Sequence, residues 1–467
     1  MLTSVLGNGI TETRAYRTDN LLTSINSSNT NLGNLAYTWD ANKNKTAETI
    51  TGVMSNYGFT AAGTTYDFED RLTGFQRTAT SGPALLSQSW SLSTVGDWNS
   101  VTTNGTAQTR THGPTHELLT AGGQSVNTDV KGNTTLLPST LSSQPLSLNY
   151  DFDNKLRSVD VGNDSSVDVN YQYDALGRRV ARTGTGGSVV YVQADQQTIA
   201  DYPLSGAPAT PTYRYVYASY IDEPVVRKGA GTSGTVHYYH RNQQYSIYAI
   251  TDAAANIAER YAYTAYGQPT ILNAAATVIA TSAISNRYTY TAREWDATVG
   301  LYHFRARWIS GLTGRFLSRD PIGYAGKSNC LFEYCKSNPK SLNDPSGLEW
   351  IRQFAKCTQG PNAGIKSRPG TFQECLYACD INCVTMEESG GNDPNNVAPQ
   401  GLLIQIGLRY SPPEIFEELD PIYCSSCKEL AKPLDKYSIC FPYLDLPGVD
   451  PGAGALWVWV VIPPLIG

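Results

Sequence analysis

An aromatic residue, one intervening residue, and then a second aromatic or an aspartate recur along the chain from Tyr37 to Tyr290, each time ahead of a turn. Tyr37-Thr38-Trp39-Asp40 leads into ANKNKT, Tyr66-Asp67 into FEDRLTGF, Tyr150-Asp151 into FDNKLRSV, and Tyr171-Gln172-Tyr173-Asp174 into ALGRRVART. Later copies around Tyr213-Arg214-Tyr215-Val216-Tyr217, Tyr261-Ala262-Tyr263 and Tyr288-Thr289-Tyr290 keep the aromatics and drop the aspartate. Residues two apart share one face of an extended strand, and Asp followed by Gly or Asn is turn chemistry. Each unit therefore reads as strand, turn and return strand. A lone hairpin cannot bury its own face, so the units must stack into a long antiparallel sheet whose tyrosines meet across strands. These tyrosines are read as structural, and carbohydrate binding by the tyrosine rows is the weaker reading.

Composition agrees with many short strands. Charged residues make up 16% of the chain, too few for a solvated disordered polymer, and 30 Tyr, 41 Gly and 3 Met speak against a helix-rich core. The longest apolar run, Ala455 to Gly467, is too short to span a bilayer and is broken by Pro463 and Pro464. It is expected to pack as a strand on a small domain, with membrane perturbation the minor alternative. The first residues, MLTSVLGNGITETRAYRTDN, contain no basic patch ahead of an apolar core. They read as lacking a secretory signal, so secretion or surface display would use a non-classical route. Starting inside a repeat, the chain also reads as the C-terminal part of a longer ancestral protein.

Composition changes abruptly near Leu348. Residues 349–467 carry 14 acidic and 8 basic side chains, a net of −6 that equals the charge of the whole protein, and seven of the nine cysteines. All five histidines precede the border. Two segments with different composition rules meet there, which reads as a domain boundary.

Units such as YQYDALGRRVART resemble the YD repeats of the Rhs proteins, related to the C components of insecticidal toxin complexes and to teneurins. The string YTYTAREWDATVGLYHFRARWISGLTGRFLSRDPIGY, from Tyr288 to Tyr324, resembles the Rhs-associated core. It continues through Asn338-Pro339 to Asp344-Pro345-Ser346-Gly347-Leu348. The match is good over about 150–348, weaker before and absent after. The resemblance implies an all-β protein, a spiralling antiparallel β-sheet shell, with a small Cys-rich, partly helical C-terminal domain. The expected division is 1–287 as the YD-repeat array, 288–348 as the core with its self-cleavage motif, and 349–467 as the variable domain. The sheet is short for such a shell, so an open end rather than a closed cocoon is expected.

Two DPxG motifs, Asp320-Pro321-Ile322-Gly323 and Asp344-Pro345-Ser346-Gly347, are each an ordinary turn when read alone. The resemblance implies an intramolecular aspartyl protease that cuts after the Leu of the second motif, here between Leu348 and Glu349. Such chemistry needs two carboxylates that share a proton. Asp320 and Asp344 are the candidates. Gly323 and Gly326 ease the bend that would bring them together, and Arg319 and Arg315 are the candidate cations beside the first Asp. His303 is read as a packing or solvent-exposed side chain.

The tail contains no histidine, which excludes histidine-dependent metal nucleases, Cys–His proteases and general-base ribonucleases within it. Cys427-Lys428-Glu429 lacks the second CxxC of a zinc deaminase, and an acidic tail does not suit nucleic acid. Cys375, Cys379 and Cys383 recur every fourth residue, the spacing of one helical face. A disulfide-stapled domain is the favoured reading; a zinc site from Cys424, Cys427, Cys379 and Cys383 is weaker, and free buried thiols are the third option.

No cofactor is expected. The reading that combines these observations is a shell that encloses and releases its own C-terminal domain as a toxin-like cargo, with an immunity protein and export machinery as partners. The rivals are a cell-surface or secreted adhesion protein with an inert Cys-rich cap, and a remnant of recombination.

Overall fold

A computed structural model describes residues 2–352 apart from 79–83, 206–209, 219, 232–233 and 327. Beyond them it describes the strands Ile381–Glu387, Leu402–Leu408, Ile439–Pro442 and Leu456–Ile462. The chain divides into two compact units, Met1–Gln353 and Phe354–Gly467.

The first unit is an antiparallel meander in which successive strands pair with their chain neighbours, in sheets of 5, 7 and 14 strands between Leu2 and Asn273. Single bridges from Phe59 to Glu48 and to Arg77 join the first sheet to the second.

The hairpins share one turn design. The side chain of the turn's first residue accepts hydrogen bonds from the backbone two and four residues on. Asp67 Oδ1 takes the N–H groups of Glu69 and Arg71, both at 3.0 Å. Asp151 Oδ1 takes those of Asp153 (3.0 Å) and Lys155 (2.9 Å), and Asp174 Oδ1 those of Leu176 and Arg178, both at 2.9 Å. Asp252, Asn242 and Asn273 repeat the pattern. The fourth turn residue is left-handed, with φ of 63° at Asp70, 59° at Asn154 and 73° at Gly177. The register then shifts by a bulge at the aromatic residue, as at Tyr150 and Tyr173. This is a three-residue hairpin loop ending in a left-handed residue, and Asp and Asn are chosen because their short side chains cap it.

The aromatic residue fastens each hairpin to the one before it. Tyr173 Oη donates to the Leu156 carbonyl (3.0 Å), Tyr66 Oη to Lys45 (2.7 Å), Trp39 Nε1 to Leu22 (2.8 Å) and Tyr263 Oη to Ile247 (2.6 Å). Each acceptor opens the return strand of the preceding hairpin. The Asp thus closes its own turn and the Tyr ties down the neighbouring one.

The meander spirals until its start lies against its end. Leu6, Ile25, Leu35 and Met54 share a core with Tyr248, Ala262 and Leu272. Asn8 Nδ2 donates to Thr251 Oγ1 at 2.9 Å, and His240 Nδ1 lies 2.7 Å from Glu12 Oε1.

Residues 288–348 pack against this sheet and carry their own four-stranded sheet, Glu294–Asp296, Leu301–Phe304, Arg307–Ser310 and Arg315–Phe316. Tyr302, Phe304 and Phe316 pack with Trp90, Trp98 and Tyr266. Leu301, Trp308 and Leu317 pack with Leu148, Val159 and Tyr171. Buried ion pairs reinforce the contact: Arg182 Nε–Asp296 Oδ2 at 2.6 Å, Arg179–Glu294 and Arg287–Asp201. His303 is buried with its ring 5.1 Å from that of Trp308, and burial keeps it neutral by lowering its pKa well below the usual value.

In the second unit the described strands form one sheet, and Leu456–Ile462, the described part of the apolar terminal run, is a strand paired with Leu402–Leu408. The helical spacing inferred for the cysteines is corrected at Cys383. It lies in strand Ile381–Glu387 in register with Cys440, where Ile381, Val384 and Thr385 favour extended backbone. Cys357, Cys375, Cys379, Cys424 and Cys427 lie outside the described residues.

Replacing Asp174 by Ala removes the acceptor for two turn amides. The expected cost is about 1–2 kcal/mol, with faster hydrogen exchange at Leu176 and Arg178. Tyr173→Phe keeps the ring but loses the bond to the Leu156 carbonyl and the one accepted from Trp308 Nε1, an expected cost of about 1–2 kcal/mol, read from the midpoint of urea denaturation.

Candidate functional site: two aspartates on one buried arginine

The two DPxG turns meet on Arg307. Its Nη2 lies 2.9 Å from Asp320 Oδ2 and 3.7 Å from Asp344 Oδ2. The guanidinium is buried, stacked over the Phe316 ring with 3.6 Å to the centroid, and also donates to the carbonyls of Gly347 and Leu331. Arg307 opens the second strand of a tight hairpin after Phe304, where Arg305 takes a positive φ of 56°.

Within each motif the two carboxylate oxygens have separate duties. Asp344 Oδ1 accepts from the N–H groups of Gly347 (2.8 Å) and Leu348 (3.1 Å) and from Ser346 Oγ (3.3 Å). Asp320 Oδ1 accepts from Ile322 N–H (3.0 Å), and Gly323 N–H closes the turn on the Asp320 carbonyl (2.9 Å). Both Oδ2 atoms face the arginine. The turn reading and the paired-carboxylate reading therefore coexist in the same residues.

Burial disfavours the charged form of a carboxylate, while a neighbouring cation opposes that shift. At Asp344, 4% exposed, burial outweighs Arg307 and raises the pKa to about 6. Asp320 is less enclosed, and burial raises it too, again against Arg307. Arg307 itself is lowered by burial and supported by the two aspartates.

Leu348 lines the same pocket as Arg307, Asp320 and Asp344. The chain after Asp344 turns and returns, so that Ile351–Arg352 pairs antiparallel with Leu342–Asn343 and the bond sits in the connecting loop. A Cβ built on Gly326 would stand 3.0 Å from Asp320 Oδ2 and 3.1 Å from the Leu348 carbonyl oxygen. A side chain there would crowd both oxygens. Gly347 has φ +72°, and a Cβ there would reach 2.2 Å from the Phe304 carbonyl, so the loop requires glycine at that point. Ser346 Oγ accepts from Leu348 N–H (3.1 Å) and from Glu349 N–H (3.3 Å), which fixes the nitrogen side of the bond.

The arginines singled out from the sequence are engaged elsewhere. Arg315 Nη2 lies 3.2 Å from Asp97 Oδ1 and 3.1 Å from Cys330 Sγ, and Arg319 pairs with Glu117. Arg319 thus reaches Glu117 while Asp320 reaches Arg307. The cation at the carboxylates is Arg307, a residue of the string FRARW that no local pattern distinguishes from Arg305. Cys330 and Cys335 are buried free thiols, and no group of histidine, cysteine and carboxylate side chains suited to a metal occurs among the described residues.

No family model matches the chain. It is 27% identical over 244 residues to the tRNA3(Ser)-specific nuclease WapA of Bacillus spizizenii, covering 50% of this chain and 10% of that protein. It is 26% identical over 203 residues to the double-stranded DNA deaminase toxin A of Burkholderia cenocepacia, covering 39% of this chain and 14% of that one. Among solved structures, TcdB2-TccC3-Cdc42 superposes with a TM-score of 0.60 at 19% identity, over 74% of this chain and 19% of that chain. The Tc holotoxin pore of Photorhabdus luminescens gives 0.57 at 18% identity, over 77% and 19%. The chain thus spans a small part of each relative, and the structural likeness is one of fold. The chain is thus similar in sequence to toxin-type nuclease and deaminase proteins and in fold to the Tc-toxin structures.

Proposed function

We propose that this protein is an Rhs-type carrier whose core cuts its own chain between Leu348 and Glu349, releasing residues 349–467 as cargo. The observation that carries the reading is that Asp320 and Asp344, 24 positions apart by their numbers, turn their Oδ2 atoms to one buried guanidinium beside the Leu348 carbonyl.

The pair would hold one proton between them. The ionised member takes a proton from a water as it attacks the Leu348 carbonyl carbon, and the protonated member donates to the carbonyl oxygen. The tetrahedral intermediate collapses as the C–N bond breaks and the Glu349 nitrogen leaves protonated. The two steps of titration belong to the pair. Arg307 keeps the carboxylates together in a site where burial alone would protonate both, and its charge acts in a low-dielectric surrounding. The reaction is a single turnover in cis, because the bond cut is part of the pocket wall. The chain is read as delivered outside its cell. Among the described residues no helix is long and apolar enough to cross a membrane.

Intact-mass analysis after expression tests the reading. Wild type should yield two fragments ending and beginning at Leu348 and Glu349, while Asp320→Asn and Asp344→Asn should stay at 50.8 kDa. A wild-type chain that remains whole would refute it. Arg307→Gln should slow cleavage by about 100-fold or more, the usual loss when one charge-stabilising donor is removed.

Cleavage needs one proton on the pair, so its rate should fall as pH rises through about 6, where Asp344 loses its proton. A time course during cell-free synthesis in buffers of increasing pH checks the sign. A rate that climbs steadily toward alkaline pH would exclude a shared-proton mechanism.

A further inference from the structure

The loop that carries the Leu348–Glu349 bond is gripped by residues far from it in sequence. Asp222 lies in the turn between the strands Tyr213–Tyr217 and Pro224–Gly229, closed by Ala218 N–H to the Glu223 carbonyl (2.9 Å) and Glu223 N–H to the Tyr220 carbonyl (3.1 Å). Its carboxylate is buried, and its Oδ1 takes hydrogen bonds from both Arg293 Nη2 and Arg305 Nη2, the latter at 2.7 Å. The Nη1 atoms of both arginines donate to the Pro345 carbonyl, Arg293 at 3.3 Å.

Proline lacks an N–H, so that carbonyl is the only backbone handle residue 345 offers. The next carbonyl, of Ser346, accepts from Ala306 N–H at 3.2 Å, and that of Gly347 from Arg307 Nε. Three successive carbonyls ahead of the bond are therefore held. Arg293 and Arg305 share one anion, and burial together with the charge of Arg305 lowers the pKa of Arg293 to about 9. Without that anion the two cations repel each other and cannot both stay on the loop.

We propose that Asp222 is a positioning residue for the cut, holding Arg293 and Arg305 on the Pro345 carbonyl so that the bond is presented only once the sheet turn at 218–223 has formed. The proposal rests on the self-cleavage reading and adds an order to it: sheet first, cut afterwards. Gln244, from another sheet turn, grips the same segment upstream, donating to the Pro339 carbonyl at 2.8 Å and accepting from Asn343 Nδ2 at 3.1 Å.

The test uses the full chain. Asp222→Asn should slow appearance of the Leu348 fragment by about 10- to 100-fold, as a small misplacement of a reacting bond does. Asp222→Glu should restore part of the rate, and the pH at which cleavage falls should stay where it is, since the dyad is untouched. Asp201→Asn is the control: it removes another buried carboxylate paired with an arginine of the same core, Arg287, and should cut at near wild-type rate. Wild-type cleavage in Asp222→Asn, or equal slowing in Asp201→Asn, would overturn the proposal and leave the self-cleavage reading standing.

A second measurement does not depend on cleavage. In an Asp320→Asn background, hydrogen exchange at the Gly347 and Leu348 amides should quicken when Asp222→Asn is added. Unchanged exchange would remove the role of Asp222 whether or not the wild type cuts. If the wild type does not cut but exchange quickens, the grip on the loop stands and the functional reading falls. Should Asp222→Asn fail to fold, Arg305→Gln breaks one of the two links and should show the same two effects more weakly.

Discussion

Everything in the first unit depends on a hairpin turn that is closed by one side chain and tied down by another. An Asp or Asn carboxyl or amide oxygen satisfies two backbone amides within its own turn, and the next hairpin's tyrosine caps the carbonyl at the head of the return strand. Both groups would otherwise be backbone atoms without ladder partners, since the bulge removes them from the regular pairing. The repeat therefore works between neighbours. A tyrosine is chosen because its ring fills the buried face and its hydroxyl still reaches the edge. Such a sheet has no natural stopping point, and its length follows from the number of repeats.

The segment 288–348 lodges against that sheet through buried charge pairs as well as apolar contacts. A chain with so few charges places a large share of them out of solvent, as Arg182 with Asp296, Arg179 with Glu294, and Arg293 and Arg305 with Asp222. Buried pairs of this kind add little net stability, yet losing one partner is costly. They specify how the segment sits more than how tightly. That suits the proposed site, in which a peptide bond would be held against two carboxylates.

The Asp320–Arg307–Asp344 arrangement shows how one residue can serve two ends. Each aspartate spends one oxygen on its turn, which orients the other toward the arginine. The rigidity of a DPxG turn is thus part of the site, and the turn chemistry visible in the motif is the means by which the acids are aimed. Arg307 and Asp222 escaped the sequence reading for a common reason. Neither stands out in its own string, since Arg307 lies two positions from Arg305 and Asp222 beside Glu223, their partners lie 13 to 83 positions away, and no periodicity marks them. Arg315 and Arg319 drew attention by closeness in sequence, but each is engaged by a distant acid, Asp97 and Glu117. Cys383 was misplaced because a spacing of four fits a helix, while the β-branched residues around it argue for a strand.

A resemblance to the Rhs core pointed to the two acids, while the sequence by itself determined the sheet, the position of its turns and the change of character near Leu348. These are local matters, settled by spacing, turn residues and composition over a few neighbouring positions. Only the tertiary structure decided which cation meets the acids, which sheet turn grips the loop, and that Gly326 leaves room for a carbonyl and a carboxylate to approach. Those are long-range coincidences in space, set by how a spiralled sheet returns upon its core, and no local pattern encodes the partner at the far end.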